Sequence, residues 1–318
     1  MKNIYLNILK PNLANLKKAK SCVENNNIIG IPTETVYGLA ANAYSEKSVN
    51  KIYKLKKRPS LNPLIIHFGN LKHFKKEVVF DEDFMKLYKE LCPGPITFIL
   101  KKKLKSKISK KATAGKKTIA VRFPSHPVAV KLLKILKVPL AAPSANISTR
   151  LSPTNAKDVY DEFGNKIKII LDGGQSKIGL ESTIVDLTGK PTILRYGYIS
   201  AKKIYKILGK KVSVRKKTKN IVSPGLLNLH YSPGVPVYIN KTTPKKNGAF
   251  ISFGKGFKNA KNYFNLSKKG SLNEAASNLY STMRIIKKLK FKSISVCKIP
   301  NINLGLAINE KLKKASKK

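Results

Sequence analysis

Between Ile28 and Phe68 the chain reads IIGIPTETVYGLAANAYSEKSVNKIYKLKKRPSLNPLIIHF. Thr33, Thr35, Lys56, Arg58, Asn62 and His67 supply hydroxyls, two cations, an amide and an imidazole within this stretch. An apolar strand pattern, Ile28 to Ile31, runs into the Pro-Thr-Glu-Thr turn. A helical pattern follows and stops at Lys56-Lys57-Arg58-Pro59, and a second apolar strand closes on His67. Polar groups gathered at strand ends are where open α/β sheets hold ligands. A core alone would not need them.

Arginine is scarce. Of 64 basic residues only Arg58, Arg122, Arg150, Arg195, Arg215 and Arg284 are arginine. A chain that uses lysine wherever a generic cation suffices should keep arginine where a planar, bidentate fork is required, on phosphate or carboxylate. Three of the six stand in the motif-like segments KLKKRPSLNPL, TIAVRFPSHP and TILRYGY. Arg150 and Arg284 do not, and lysine is expected to replace them silently.

No Walker A pattern, GxGxxG, HExxH or GxSxG occurs, so a nucleotide must be held some other way. Lys56 and Arg58, with Ser144 and Asn146 of PLAAPSANIS, offer two cations plus hydroxyl and amide groups. That set can cradle phosphate without a P-loop. The alternative for Ser144–Asn146 is a turn that caps the helix ahead. Glu181-Ser182-Thr183 forms a polar triplet directly before the apolar Ile184-Val185. Gly173-Gly174 reads as a turn, and His73 and His126 read as structural.

The elements that would position these groups alternate in type. Strand patterns cover 27–31, 63–68, 96–101, 118–123, 138–142, 167–171, 183–187 and 192–196. Helical patterns cover 13–24, 46–55, 82–91, 126–136, 156–163 and 201–208. They predict a twisted open mixed α/β sheet flanked by helices over residues 1–210. A basic segment with Pro-Gly pairs, 211–236, is too long for an ordinary connection and is expected to be a linker or lid. A small C-terminal α/β unit, Rossmann-like, is expected over 237–318.

At 318 residues and 42% hydrophobic content the chain can bury two cores. Its formal net charge of +48 favours anionic partners, including weak RNA binding. The lysines are spread along the whole chain, however, which is the pattern of solvated faces. Cys22, Cys92 and Cys297 form no CxxC, so neither a disulfide framework nor a zinc site is expected. No signal peptide or membrane span is read, and the expected compartment is the cytoplasm.

The motifs PTETVYGLAANA, KKRPSLNPLIIH, CPGPITFIL, TIAVRFPSHP, PLAAPSANISTRLSPT, IGLESTIVDL and ILRYG, in this order, resemble the YrdC-like domain of threonylcarbamoyl-AMP synthases. The likeness covers about residues 10–210. SPGLLNLHYSPGVPV and LGLAINEKL resemble the linker and extra domain of the longer, two-domain form. The resemblance implies synthesis of threonylcarbamoyl-AMP from L-threonine, bicarbonate or CO2, and ATP, with Mg2+ accompanying the nucleotide. It implies delivery of the product to the machinery that modifies tRNAs reading ANN codons. It places ATP contacts on Lys56, Arg58, Asn62, Thr118, Ser144, Asn146, Ser152, Arg195 and, in the linker, Ser223. It places threonine contacts on Thr35, His67, Arg122, the backbone at Ala142, and Ser182.

No protein nucleophile or general base is assigned. Magnesium is expected on the phosphates with few protein carboxylates, Glu34 and Glu181 being the candidate neighbours. Two rival classes remain at this level. A non-catalytic RNA-binding protein would leave Thr35, His67 and Ser182 idle. A carbamoyl-transferring maturation factor would carry CxxC zinc segments and an acylphosphatase unit, neither of which is present in the sequence.

Overall fold

The computed structural model describes residues 5–215, 230–257 and 259–317. Strands in the first part are Ile8–Leu9 (β1), Ile29–Ile31 (β2), Gly38–Asn42 (β3), Ile65–His67 (β4), Val78–Val79 (β5), Ile96–Lys102 (β6) and Thr118–Arg122 (β7). Leu140–Ala141 (β8), Ile170–Leu171 (β9), Thr183–Asp186 (β10), Thr192–Arg195 (β11) and Ser213–Val214 (β12) complete the large sheet. Its order is β1-β9-β2-β3-β8-β4-β7-β6-β10-β11-β12, with β5 on β6. It contains both parallel and antiparallel pairs, so it is the mixed sheet expected.

Helices Leu13–Glu24 (α1), Glu46–Lys56 (α2), Leu71–Glu77 (α3), Glu82–Leu91 (α4), Pro127–Ile135 (α5), Ala156–Phe163 (α6) and Ala201–Leu208 (α7) flank this sheet. Short polar residues start them. Asn12, Ser45, Asp81, Asn155 and Ser200 each accept a hydrogen bond from the backbone N–H three residues on. Such caps supply a partner to a donor the helix cannot satisfy internally. His126, read as structural, caps α5 through its ring nitrogen.

A separate sheet, β13-β16-β14-β15, is parallel throughout. Its strands are Val237–Tyr238 (β13), Ala249–Ser252 (β14), Tyr263–Asn265 (β15) and Ile294–Val296 (β16). Leu272–Lys288 (α8) and Leu304–Ala315 (α9) pack with it. Its core, built on Phe250, Ile251, Leu279, Met283, Ile294 and Ile308, is distinct from that of the large sheet.

Alternation in the central strands divides the large sheet into two faces. Ile66, Phe98, Leu100, Ile119, Val121, Val185 and Ile193 point into the main core. Their neighbours Ile65, Ile99, Ala120, Ile184 and Leu194 form a small apolar strip on the other face. Period-2 geometry puts Thr97, His67, Arg122 and Ser182 on that same second face.

Two elements go beyond those expected. Gly38–Asn42 is a strand buried between β2 and β8. Leu71–Glu77 is a short helix capped by Asn70.

Candidate functional site

The second face ends in a pocket. Thr33, Thr35, Tyr37, Arg58, His67, Arg122, Ala142, Ser144, Glu181, Ser182, Arg195 and His230 are in its wall. Residues far apart in sequence meet there because of strand register. His67 pairs directly with Arg122. Ile184 pairs with Arg195 on one side and Thr97 on the other, which brings Arg195 into the row of Arg122. A register irregularity between Ile184 and Val185 marks this point of the sheet.

Arg122 is 4% exposed and Glu34 is 7% exposed, and they form an ion pair at 2.7 Å. The other Glu34 oxygen accepts the Ser125 backbone N–H. Burial alone would raise the Glu34 carboxyl, but the Arg122 charge and these hydrogen bonds outweigh it and hold the group below its ordinary value. Arg122 is thereby fixed with part of its guanidinium left for the pocket. His67 is 2% exposed. Desolvation, then the Arg122 charge, pushes its imidazole down to about 3, so it is neutral at physiological pH.

Arg58 is aimed by the turn that stops α2. Lys57 adopts a left-handed conformation, and the Arg58 N–H returns to the Tyr53 carbonyl. The Arg58 fork donates to Asn62 Oδ1 at 2.6 Å and to the Asn62 and Pro63 carbonyls. Arg195 is held likewise, donating to Ser182 O and Ser182 Oγ, both at 3.0 Å. Ser182 Oγ also bonds Thr97 Oγ1 at 2.7 Å. Gly197 permits this closeness, since a Cβ there would lie 2.3 Å from the Thr183 nitrogen.

All five residues expected to contact threonine, Thr35, His67, Arg122, Ala142 and Ser182, line this one pocket. Of the expected ATP contacts, Arg58, Ser144 and Arg195 line it too. Ser152 stands one hydrogen bond behind, donating to Glu181 Oε1 at 2.5 Å. Asn62 holds Arg58 and does not itself line the wall. Thr118 lies outside the wall, four residues before Arg122 on β7, about 13 Å along the strand at ~3.3 Å per residue. Ser223 lies outside the described residues.

Lys56, expected to face phosphate, is 1% exposed and donates to the carbonyls of Ser144 and Asn146. Burial, then Arg58, pulls it well below the ordinary lysine value. It braces the loop that presents Ser144. Asn146 likewise points into that loop, donating to the Ile147 and Arg150 carbonyls.

Sequence reasoning missed three roles. Glu34 orients Arg122, Tyr37 anchors Gly173 and Gly174 through its hydroxyl, and His230 forms part of the wall. An acid inside a strand-end Thr-x-Thr, in a chain with 16 acids, was the available signal for Glu34.

Two family models match the chain. One described as "Telomere recombination" covers residues 21–197, and "Threonylcarbamoyl-AMP synthase, C-terminal domain" covers 199–317. Threonylcarbamoyl-AMP synthase of Pyrococcus abyssi is 35% identical over 95% of this chain and 94% of its own length. The Bacillus subtilis protein of the same name is 33% identical over 97% and 94%. The crystal structure of P. abyssi Sua5 complexed with L-threonine is similar with a TM-score of 0.87 and 33% identity, over 95% of this chain and 94% of that one.

Proposed function

We propose a reaction from one premise: this chain belongs to the threonylcarbamoyl-AMP synthase family. It is an enzyme that condenses L-threonine, bicarbonate or CO2, and ATP into threonylcarbamoyl-AMP and pyrophosphate. The product serves N6-threonylcarbamoyladenosine formation in tRNAs reading ANN codons. In reaction class it is a nucleotidyltransferase, with the cytoplasm as its compartment in this reading. The observation that carries the proposal is the convergence of Thr35, His67, Arg122, Ala142 and Ser182 with Arg58, Ser144 and Arg195 in one pocket.

The geometry divides the labour. Arg122, pre-aimed by Glu34, clamps the threonine carboxylate, while neutral His67 and the Ser182 and Thr35 hydroxyls bound the rest of the amino acid. The neutral threonine amine attacks CO2 and loses a proton, forming a carbamate. A carbamate oxygen then attacks the α-phosphorus of ATP, and the bond to pyrophosphate breaks. Arg58 and Arg195 stabilise charge on the phosphates, and Ser144 supplies a hydroxyl to the nucleotide. Positioning and charge stabilisation carry this chemistry, so no protein nucleophile is required. A nucleotide laid along the second face toward Thr118 crosses the apolar strip of Ile65, Ile99 and Ala120.

Magnesium enters this reading only with ATP, as part of the substrate. The nearby carboxylates do not fit a protein-held ion. Glu34 has both oxygens on Arg122 and Ser125, and Glu181 has both on Ser152 and Tyr280. No cluster of three or more metal-binding side chains occurs among the described residues.

Most of the segment expected to be a linker or lid, residues 216–229 of 211–236, lies outside the described residues; His230, near its end, stands in the pocket wall. The domain limits 1–210 and 237–318 are part of this proposal.

The test is pyrophosphate release with each substrate omitted in turn. Release should require ATP, L-threonine and bicarbonate together. L-Serine should be a poor substitute, because a missing methyl costs about 1–3 kcal/mol in a fitted pocket. Full ATP turnover without bicarbonate, or equal rates with serine, would sink the reading.

A further inference from the structure

The C-terminal domain grips the catalytic domain beside the ligand-site residues. From α8, Tyr280 Oη donates to Glu181 Oε2 at 3.0 Å, and Arg284 donates to the Leu151 carbonyl at 2.5 Å. From α9, Lys311 Nζ donates to the Tyr196 carbonyl at 2.6 Å, and Glu310 accepts the Tyr196 N–H at 3.1 Å. Glu181, Leu151 and Tyr196 are the sequence neighbours of Ser182, Ser152 and Arg195. Gly179 permits the approach, since a Cβ there would meet the Ser277 backbone at 2.6 Å.

The acid usage makes this contact non-generic. Asp158, Asp161, Glu162, Glu181 and Glu310, five of only 16 acidic residues, bond across this seam. A spread of charge over solvated faces does not produce such a concentration of acids.

We propose that Tyr280 is a positioning residue of the synthase site, acting through Glu181 on Ser152, Ser182 and Arg195. The proposal rests on the functional reading above and assigns the second domain a part in it. Glu181 lies in the pocket wall with one oxygen on the Ser152 hydroxyl and the other on Tyr280. The next residue, Ser182, receives both Arg195 hydrogen bonds. Lys311 and Glu310 pin the peptide on the far side of Arg195. Arg195 therefore sits between two anchors that both come from the C-terminal domain. Tyr280 is fully buried and stacks on Tyr231, with ring centroids 5.6 Å apart. Tyr231 directly follows His230 of the wall. Burial, then the Glu181 charge, raises the Tyr280 phenol well above its ordinary value, so it stays protonated as the donor.

Tyr280→Phe removes the hydroxyl and keeps the ring. The expected result is an apparent KM for ATP raised about five- to tenfold, the size of one lost hydrogen bond of ordinary net strength. The KM for threonine should rise by a smaller factor, about two- to threefold, because Ser182 adjoins Glu181 while the other threonine contacts, Thr35, His67, Arg122 and Ala142, lie elsewhere in the sheet. Glu181→Gln should act in the same direction. The Tyr280→Phe/Glu181→Gln pair should do no more than the stronger single change, because one residue acts through the other. Glu310→Gln, at the second anchor, should also raise the ATP KM. Calorimetric binding of α,β-methylene-ATP gives a readout independent of turnover. If the unaltered protein releases no pyrophosphate, the functional reading fails, while analogue binding still tests the positioning. An unchanged ATP KM and unchanged analogue binding in Tyr280→Phe would overturn the proposal. So would effects of Tyr280→Phe and Glu181→Gln that simply add. A lowered melting temperature with unchanged ATP affinity would reduce Tyr280 to a packing role.

Discussion

Arg122 and Glu34 pair at 2.7 Å at the edge of the ligand pocket, both nearly withdrawn from solvent. The pair carries no net charge, yet the guanidinium retains donors for a second carboxylate. A buried arginine without Glu34 would carry its desolvation cost alone and would lack a fixed direction.

Threonine affinity should therefore depend on both partners. Arg122→Lys keeps the charge and loses the fork. Its threonine KM should rise about tenfold or more, in keeping with a charge-assisted bond of about 1.5–3 kcal/mol, with little change for ATP. Glu34→Gln should raise the same constant by a smaller factor. Steady-state titrations of each substrate decide this, and a change confined to ATP would reverse the site assignment.

Lys56→Met should act first on stability. It leaves the Ser144 and Asn146 carbonyls without their buried donor, at about 1–3 kcal/mol each. A lowered melting temperature with a raised ATP KM is expected, as the loop bearing Ser144 loosens. Lost ATP affinity at unchanged stability would instead mean that the ammonium touches the nucleotide.

The buried neutral His67 gives stability a definite pH slope. Its folded value is about 3, against an unfolded value near 6.5, so the unfolded chain binds the extra proton between those limits. Stability is unaffected above the unfolded value and falls as pH drops through that window. From pH 6.5 to 5 the loss is about 2 kcal/mol for one histidine. Burial of His230 shifts it the same way. Chemical denaturation at stepped pH should show a shallower slope in His67→Gln, and an identical slope would refute the assignment.

Arg284 departs from the expected silence. It contacts Leu151 O, Asp158 and Glu162 and is largely buried, whereas the Arg150 side chain is half exposed. Arg284→Lys should lower stability by about 1–3 kcal/mol, by leaving buried acceptors short of donors. Arg150→Lys should stay within about 0.5 kcal/mol. Calorimetric unfolding of the two variants provides the comparison.

Much of this architecture was readable where local signals are strong. The limits of α1, α4, α6 and α7 follow from a polar cap, an apolar period and a breaker. Strand Gly38–Asn42 escaped because it lacks β-branched residues and is buried almost throughout, which erases alternation. The pocket's residue types were readable from motif and resemblance. Direction was not: Lys56 and Arg58 are two residues apart, and a left-handed Lys57 turns one inward and the other to the pocket. The roles of Glu34 and Tyr280 depend on contacts across 88 and 99 positions, which no local pattern encodes.

Thr33 and His230 stand in the same pocket wall, almost two hundred positions apart in the chain. During synthesis the large sheet must await β10 and β11 before Arg195 has a place, and the wall must await His230. Ligand binding can stabilise only a state that already has the site. Neither ATP nor threonine can then shelter the nascent amino-terminal portion, which must keep its unfinished strand edges from aggregating without help from substrate. Substrate would begin to protect the protein only near the end of translation, and fully once α8 has brought Tyr280 to Glu181.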